Sequence, residues 1–176
     1  MDVTDATFES EVVERSQSEP VVVDFWAEWC GPCRALTPVL EEQTAAKGVT
    51  LVKVDVDANP EVAQRFSVSG IPAVKAFRHG NVVSEFVGAL PPARVEAFLD
   101  DLTKPPVAER IDDAELKEAL DAGEYERAFE LLLARLEESP ERKDEVRALM
   151  VELFGELGQE HPLATTYRRR LATALY

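Results

Sequence analysis

The residues best suited to chemistry are the two cysteines, Cys30 and Cys33, in the sequence WCGPC at 29–33. They are the only cysteines in the chain. Residues 21–26 before them are β-branched and aromatic, which predicts a buried strand, and Pro32 suits the first turn of a following helix. We therefore expect the pair at a strand-to-helix junction.

A helix N-terminus favours a thiolate over a thiol, because it offers unpaired N–H groups and a partial positive charge. Cys30 is therefore expected to ionise more readily than a free cysteine and to attack a disulfide. Cys33 lies one turn further along the same face and is expected to be less exposed. It is predicted to attack the disulfide formed at Cys30, so the pair predicts thiol-disulfide exchange.

A structural disulfide or half of a metal site are the alternative interpretations of this pair. A structural bridge over so short a loop constrains the unfolded chain little, and a zinc site needs about four ligands. His79 and His161 are remote in sequence, so no metal is expected.

Residues 20–102 resemble a thioredoxin through several motifs in order: VDFWAEWCGPC at 23–33, Pro38, KVDVD at 53–57, GIP at 70–72 and VGA at 87–89. The resemblance implies an α/β thioredoxin fold, with a mixed central sheet and helices on both faces. It also implies a thiol-disulfide oxidoreductase that needs no cofactor beyond a redox-active Cys30–Cys33 disulfide. Electrons are expected from NADPH through thioredoxin reductase.

Asp24 interrupts the buried strand, so desolvation is expected to raise the pKa of its carboxyl group. One interpretation is a core polar residue bonded to the backbone or to Lys53. The resemblance instead implies a catalytic proton acceptor that helps to deprotonate Cys33, and we favour that role. Lys53, Trp26 and Pro38 are expected to support the site structurally, with Pro38 kinking its helix.

A substrate-binding surface is expected around the dithiol. Trp29 is either a platform for substrate or a packed aromatic residue, and its position favours the platform. The resemblance implies a cis bond before Pro72, with the preceding backbone facing the substrate, and a flat surface at 88–89 that could otherwise be a bend at a strand end. The predicted substrate-binding residues are Trp29, Gly31, Pro32, Ile71, Pro72, Gly88 and Ala89.

The remaining pattern of the first part predicts alternating elements. Strands are expected at 21–26, 49–56, 73–78 and 82–87, and helices at 7–16, 35–47, 60–66 and 92–102. A hairpin turn is expected at 79–81. This order implies a mixed sheet covered on both faces.

The composition bounds the function. The chain has 176 residues, of which 45% are hydrophobic, so one or two globular domains are expected. Its net charge of −15 argues against nucleic acid or an anionic membrane as partner. No signal sequence or membrane span is recognisable, so we expect a cytoplasmic protein. In the cytoplasm, cysteine pairs are more often redox-cycling than structural.

The chain is expected to divide into a thioredoxin domain at 1–104, a proline-containing linker at 105–108 and a small all-α domain at 109–176. Helices are expected at 112–122, 124–138, 141–157 and about 162–175. Residues 109–142 match the spacing of a tetratricopeptide repeat of about 34 residues, and 143–176 match it weakly. The alternative is a plain helical hairpin pair.

The whole arrangement, with its closing stretch from His161 to Tyr176, resembles the thioredoxin-tetratricopeptide co-chaperones of the YbbN or CnoX type. This resemblance implies a reductase that protects client cysteines and has unfolded clients and chaperonin as partners. The alternative function is a holdase or chaperonin adaptor in which the dithiol is auxiliary. Three consecutive arginines, 168–170, either contact an acidic partner or pair with nearby glutamates.

Overall fold

The computed structural model of the protein describes residues 1–158 and 161–175. The chain separates into two compact units, Met1–Lys104 and Pro105–Tyr176, which we call the first and second units. No helix among the described residues is both long and apolar enough to span a membrane.

The first unit contains a four-stranded mixed sheet in the order β2-β1-β3-β4. The strands are β1 (Val21–Trp26), β2 (Thr50–Asp55), β3 (Ala73–Arg78) and β4 (Asn81–Val87). β1 pairs in parallel with β2 and antiparallel with β3, and β3 pairs antiparallel with β4. The predicted mixed sheet is confirmed.

The helices of the first unit are α1 (Gly31–Lys47), α2 (Pro60–Arg65) and α3 (Pro92–Thr103). The N-terminal segment expected to be helical is helical but irregular, with π geometry at Glu9–Glu14 and 3-10 geometry at Arg15–Gln17. Pro38 lies inside α1, and the kink predicted there stays a prediction.

Alternating residues of β1 enter two different apolar cores, because successive side chains of a strand point to opposite faces. Val21, Val23 and Phe25 pack with residues of the N-terminal segment and α2. Val22 packs on the other face with residues of α1 and α3. Helices therefore cover both faces of the sheet, as predicted, and Asp24 lies on the face that α1 covers.

The turn between β3 and β4 needs a left-handed backbone, with φ of 50° at His79 and 77° at Gly80. Two positive φ values are typical of the tight turns that join twisted antiparallel strands. Ser16 holds this turn to the N-terminal segment, because its carbonyl accepts from the His79 N–H and its hydroxyl from the Gly80 N–H. The turn is structural.

Every secondary-structure element among the described residues of the second unit is a helix or a helical turn. Its helices are α4 (Val107–Arg110), α5 (Ala114–Asp121), α6 (Tyr125–Glu138), α7 (Lys143–Leu157) and α8 (Pro162–Leu175), with a 3-10 turn at Pro140–Arg142. Residues 159–160, within the expected break between the last two helices, and Tyr176, at the end of the second expected repeat, lie outside the described residues. The predicted all-α region is confirmed.

One difference concerns the expected linker at 105–108. Val107 and Ala108 already belong to α4 and are buried in the core of the second unit. Pro106 caps this helix, a position where the missing N–H of proline costs little. The two prolines therefore precede a short helix that the sequence pattern did not predict.

Aromatic rings and ion pairs join the helices of the second unit. Phe129 of α6 stacks on Tyr167 of α8 with ring centroids 4.8 Å apart. Of the arginines at 168–170, Arg170 binds Glu130 on α6 through both terminal guanidinium nitrogens, and Arg168 lies over the ring of Phe154. The predicted pairing with a neighbouring glutamate therefore holds for Arg170.

Candidate active site

The two cysteines meet at the start of α1. Cys30 caps the helix and forms a disulfide with Cys33, with the Cα atoms 5.3 Å apart. The Cys30 sulfur also accepts a hydrogen bond of 3.2 Å from the Cys33 N–H. Pro32 falls within the first turn, where no N–H donor is needed. The predicted strand-to-helix junction is confirmed.

Both cysteines are almost fully buried, and apolar side chains surround them. Trp26, Val56 and Ile71 pack against the cysteines. The indole Nε1 of Trp26 is buried and has no hydrogen-bond partner within residues 1–158 and 161–175. The reactive bond therefore lies at the edge of an apolar core.

Trp29 is 67% exposed, so it does not pack into that core. Its Nε1 donates a hydrogen bond of 2.7 Å to the Asp57 carboxylate. The Asp57 N–H in turn donates to Asp55 at the end of β2. The ring is thereby held at the surface next to Cys30.

A second segment reaches the disulfide from the loop before β3. The Ile71–Pro72 bond is cis, as the resemblance implied, and Ile71 contacts the cysteine cluster. The Pro72 carbonyl accepts a hydrogen bond of 2.8 Å from the N–H of Gly88, whose φ of 93° suits glycine. Two of the predicted substrate-binding segments, 71–72 and 88–89, therefore lie side by side.

Val87 adds an apolar surface that the sequence analysis missed. It is 63% exposed, and its Cγ1 would lie 3.7 Å from a Cβ built at Gly70. It therefore stands beside the loop that carries Ile71. Its place at the end of β4, directly before Gly88, was the available signal.

Asp24 is fully buried on the sheet face that α1 covers. Its Oδ2 accepts a hydrogen bond of 2.8 Å from the Thr37 hydroxyl, while its Oδ1 has no partner in the described part of the chain. Desolvation raises the pKa of Asp24 to about 6, against the opposing effects of the Thr37 hydrogen bond and the Lys53 charge. The predicted upward shift of the pKa is confirmed.

Lys53 is the residue opposite Asp24 on β2, but its ammonium binds the Glu41 carboxylate at 3.2 Å. The interpretation of Asp24 as bonded to the backbone or to Lys53 is therefore wrong, because its partner is Thr37 on α1. Thr37 was missed in the sequence analysis. Its position four residues after Cys33, on the same helical face, was the signal.

Among the described residues, no group of three or more His, Cys, Asp or Glu could hold a metal ion. The arrangement can instead exchange disulfides. It combines a sulfur pair at a helix start, an apolar surface beside it and a buried carboxyl group whose pKa is raised to about 6.

Each of the two parts of this chain resembles a known family. The thioredoxin family profile matches residues 1–101, and a tetratricopeptide repeat profile matches residues 104–176. Thioredoxin 1 of Synechococcus elongatus is 47% identical over 100 residues, which cover 56% of this chain and 92% of that protein.

Two further thioredoxins extend the comparison. The Mycobacterium tuberculosis protein is 46% identical over 102 residues, covering 57% of this chain and 86% of its own length. The Rhodospirillum rubrum protein is 44% identical over 100 residues, covering 56% of this chain and 94% of its own length. With its redox-active cysteine pair and a C-terminal tetratricopeptide repeat region, the chain therefore belongs to the thioredoxin family and is a thiol-disulfide oxidoreductase.

Proposed function

We propose that this protein is a protein-disulfide reductase and a redox-active co-chaperone, whose helical second unit binds clients while its dithiol protects their cysteines. The observation that carries the proposal is the Cys30–Cys33 disulfide at the start of α1, next to the exposed Trp29. Residues 1–104 act as the redox domain, and the interaction domain, predicted at 109–176, begins with α4 at Val107.

The reaction begins in the reduced protein, where Cys30 is the nucleophile. Its thiolate attacks one sulfur of a substrate disulfide, so a Cys30–substrate bond forms and the substrate S–S bond breaks. The released sulfur takes a proton from solvent. Cys30 is the attacking residue because its sulfur caps the helix and it is the more exposed of the two cysteines, at 3% against 1%.

Cys33 completes the exchange. It gives its proton to Asp24 and attacks the Cys30 sulfur, so the Cys30–Cys33 bond forms and the second substrate sulfur leaves and is protonated. The substrate disulfide gains two electrons and becomes two thiols, and the enzyme dithiol becomes the disulfide. Asp24 suits this role because a group with a pKa of about 6 is mostly ionised at neutral pH but still binds a proton.

The substrate lies across the surface formed by Trp29, Gly31 and Pro32 on one side and Ile71, Pro72, Gly88 and Ala89 on the other. The Pro72 carbonyl is already bound by Gly88, so the backbone of Ile71 is the group that pairs with the substrate. Lys53, Trp26 and Pro38 hold the strand and helix around the dithiol.

Electrons come from NADPH through a flavin-dependent thioredoxin reductase, in the cytoplasm. The test is insulin reduction by the full chain with two alternative reductants, NADPH plus thioredoxin reductase or dithiothreitol. Turnover with both supports the proposed donor. Turnover with dithiothreitol but not with NADPH plus thioredoxin reductase overturns the proposed electron donor, while the reductase function stands. No turnover with either reductant overturns the reductase function.

A second candidate is a holdase or chaperonin adaptor in which the dithiol is auxiliary. It is favoured by the separate hydrophobic core of the second unit, which a reductase does not need. The two candidates differ in a double variant, Cys30→Ser with Cys33→Ser. Both candidates retain client binding by the second unit in this variant. A redox-active co-chaperone loses protection of client cysteines, whereas a holdase with an auxiliary dithiol leaves client oxidation, aggregation and chaperonin pull-down as in the wild type.

A further inference from the structure

The two oxygens of the Asp24 carboxylate have different surroundings. Oδ2 accepts from the Thr37 hydroxyl at 2.8 Å, and Oδ1 is buried with no partner among residues 1–158 and 161–175. A buried polar atom without a partner is costly, so it is rare in folded proteins. The asymmetry therefore needs a physical explanation.

The hydroxyl that binds Oδ2 comes from the same helix as the cysteines. Thr37 follows Cys33 by four residues on α1, which places the two side chains on one helical face. Asp24 is fixed separately, on the central strand β1. A single hydrogen bond therefore links the helix that carries the resolving cysteine to the carboxylate proposed as its base.

We propose that Thr37 is a positioning residue, which holds Oδ2 of Asp24 so that Oδ1 is the oxygen that exchanges a proton with Cys33. This inference rests on the proposed role of Asp24. In the step concerned, the S–H bond of Cys33 breaks and an O–H bond forms at Oδ1. The Cys33 electron pair then forms the bond to the Cys30 sulfur, and the substrate sulfur leaves with the electron pair of the broken mixed disulfide.

The other groups facing Asp24 do not supply this hydrogen bond. From β2, Lys53 contributes positive charge but binds Glu41, which itself lies on α1 and opposes the effect of Lys53 on the pKa of Asp24. From β3, the residue opposite Asp24 is the apolar Val74. Thr37 is thus the hydrogen-bond donor to this carboxylate in the described part of the chain.

Removing the hydroxyl takes a hydrogen bond away from the charged form of the carboxyl group, so the pKa of Asp24 rises. Thr37→Val keeps the shape of the side chain, and we expect it to raise that pKa by about one unit or more. Thr37→Ser keeps a hydroxyl and is expected to restore the wild-type value.

The first measurement is the 13C chemical shift of the Asp24 carboxyl carbon against pH in the oxidised full-length protein, where neither cysteine titrates. The wild-type midpoint is expected at about 6. The matched control is Thr44→Val, which removes the hydroxyl of another threonine of α1, one that donates to the Leu40 carbonyl instead of a carboxylate. It is expected to leave the midpoint unchanged.

The second measurement is the rate of insulin reduction against pH, with dithiothreitol as the reductant. A rise of about one pKa unit lowers the ionised fraction of Asp24 about fivefold at pH 6 and less than about twofold at pH 8. Thr37→Val should therefore slow reduction about fivefold at the lower pH only, and Thr37→Ser should not.

A comparison with Asp24→Asn distinguishes failure of the proposed role of Thr37 from failure of the proposed role of Asp24. If Asp24→Asn changes the pH profile and Thr37→Val does not, the positioning role of Thr37 is overturned while Asp24 remains the base. If Asp24→Asn leaves the profile unchanged, both roles are overturned, although the reductase itself stands. A pH shift in Thr37→Val that persists when combined with Asp24→Asn also overturns the inference.

Discussion

Two carboxylates, one in each unit, have surroundings with opposite effects on their pKa. Asp24 in the first unit is fully buried, has one neutral hydrogen-bond donor and has a pKa raised to about 6. Glu130 in the second unit accepts from both terminal guanidinium nitrogens of Arg170 and from the Tyr167 hydroxyl, and these bonds lower its pKa.

This difference shows what each arrangement is suited to do. Glu130 gains partners that favour its charged form, so it stays ionised and joins α6 to α8. Asp24 has the Thr37 hydroxyl and the Lys53 charge to favour its charged form, but these do not offset desolvation, so it lowers the stability of the fold at neutral pH but can bind and release a proton there. A carboxylate with all its partners fixes geometry, whereas one with few partners can take part in chemistry.

The largest expected effect comes from the cysteines of the first unit. Cys30→Ser is expected to reduce insulin turnover to the uncatalysed rate, because the attacking thiolate is lost. Cys33→Ser is expected to lose turnover and to accumulate mixed disulfides with substrate, because the first attack still occurs. Non-reducing gels and mass spectrometry of the trapped species distinguish the two variants.

No substitution around Glu130 should have this effect, if the division between the units is correct. Glu130→Gln is therefore the control, with turnover expected near the wild-type value. Full turnover by Cys33→Ser would instead rule out the two-thiol mechanism.

The next effect concerns stability and its pH dependence. The pKa of Asp24 is raised from 3.8 to about 6, so the folded state binds this proton more tightly than the unfolded chain. Its contribution to the free energy of unfolding therefore falls as pH rises from about 4 to about 6 and is constant above that. Asp24→Asn should remove this loss and stabilise the protein by up to about 3 kcal/mol at pH 7.

Urea unfolding at pH 4 and pH 7 measures this gain. The variant is expected to match the wild type at the lower pH and to exceed it at the higher pH. A gain of equal size at both pH values would show that the stabilisation does not come from the buried charge.

A smaller loss is expected for Tyr167→Phe in the second unit. The buried hydroxyl donates to Glu130, and removing it takes away one hydrogen bond to a charged group but leaves the ring stacked on Phe129. We expect a destabilisation of about 1 kcal/mol and no change in insulin reduction. Thermal unfolding checks the first expectation, and a loss of more than about 3 kcal/mol would show that the hydroxyl does more than bind Glu130.

The sequence predicted the parts of the molecule that follow from local pattern. The apolar residues of β1, the helix start at Pro32 and the pairing of Cys30 with Cys33 were all readable, because periodicity and turn chemistry act over short distances. The raised pKa of Asp24 also followed, since a charged residue inside a buried strand must be desolvated.

The hydrogen-bond partners of the site residues could not be predicted from the sequence, because they depend on how separate helices and strands pack together. Thr37 binds Asp24 only because α1 crosses β1 at that point, and Lys53 binds Glu41 instead of Asp24. The hydrogen bond between Trp29 and Asp57 likewise joins the segment just before α1 to the segment just after β2. The short helix α4 was missed because the Pro105-Pro106 pair predicts an end of structure as readily as a helix start.

The smallest effect on stability is expected for a substitution of Arg169. This substitution tests whether the second unit contacts a partner protein in addition to packing its own helices. Arg169 is exposed on α8, whereas its neighbour Arg170 is bound to Glu130, so the two form a matched pair. Arg169→Glu should change the free energy of unfolding by less than about 0.5 kcal/mol, whereas Arg170→Glu should lose about 1 kcal/mol or more by opposing Glu130. If the basic end of α8 contacts an acidic partner, Arg169→Glu weakens suppression of client aggregation without changing insulin reduction. A loss of suppression that follows the loss of stability, and is therefore greater in Arg170→Glu than in Arg169→Glu, would show instead that these arginines serve only to hold α8 on α6.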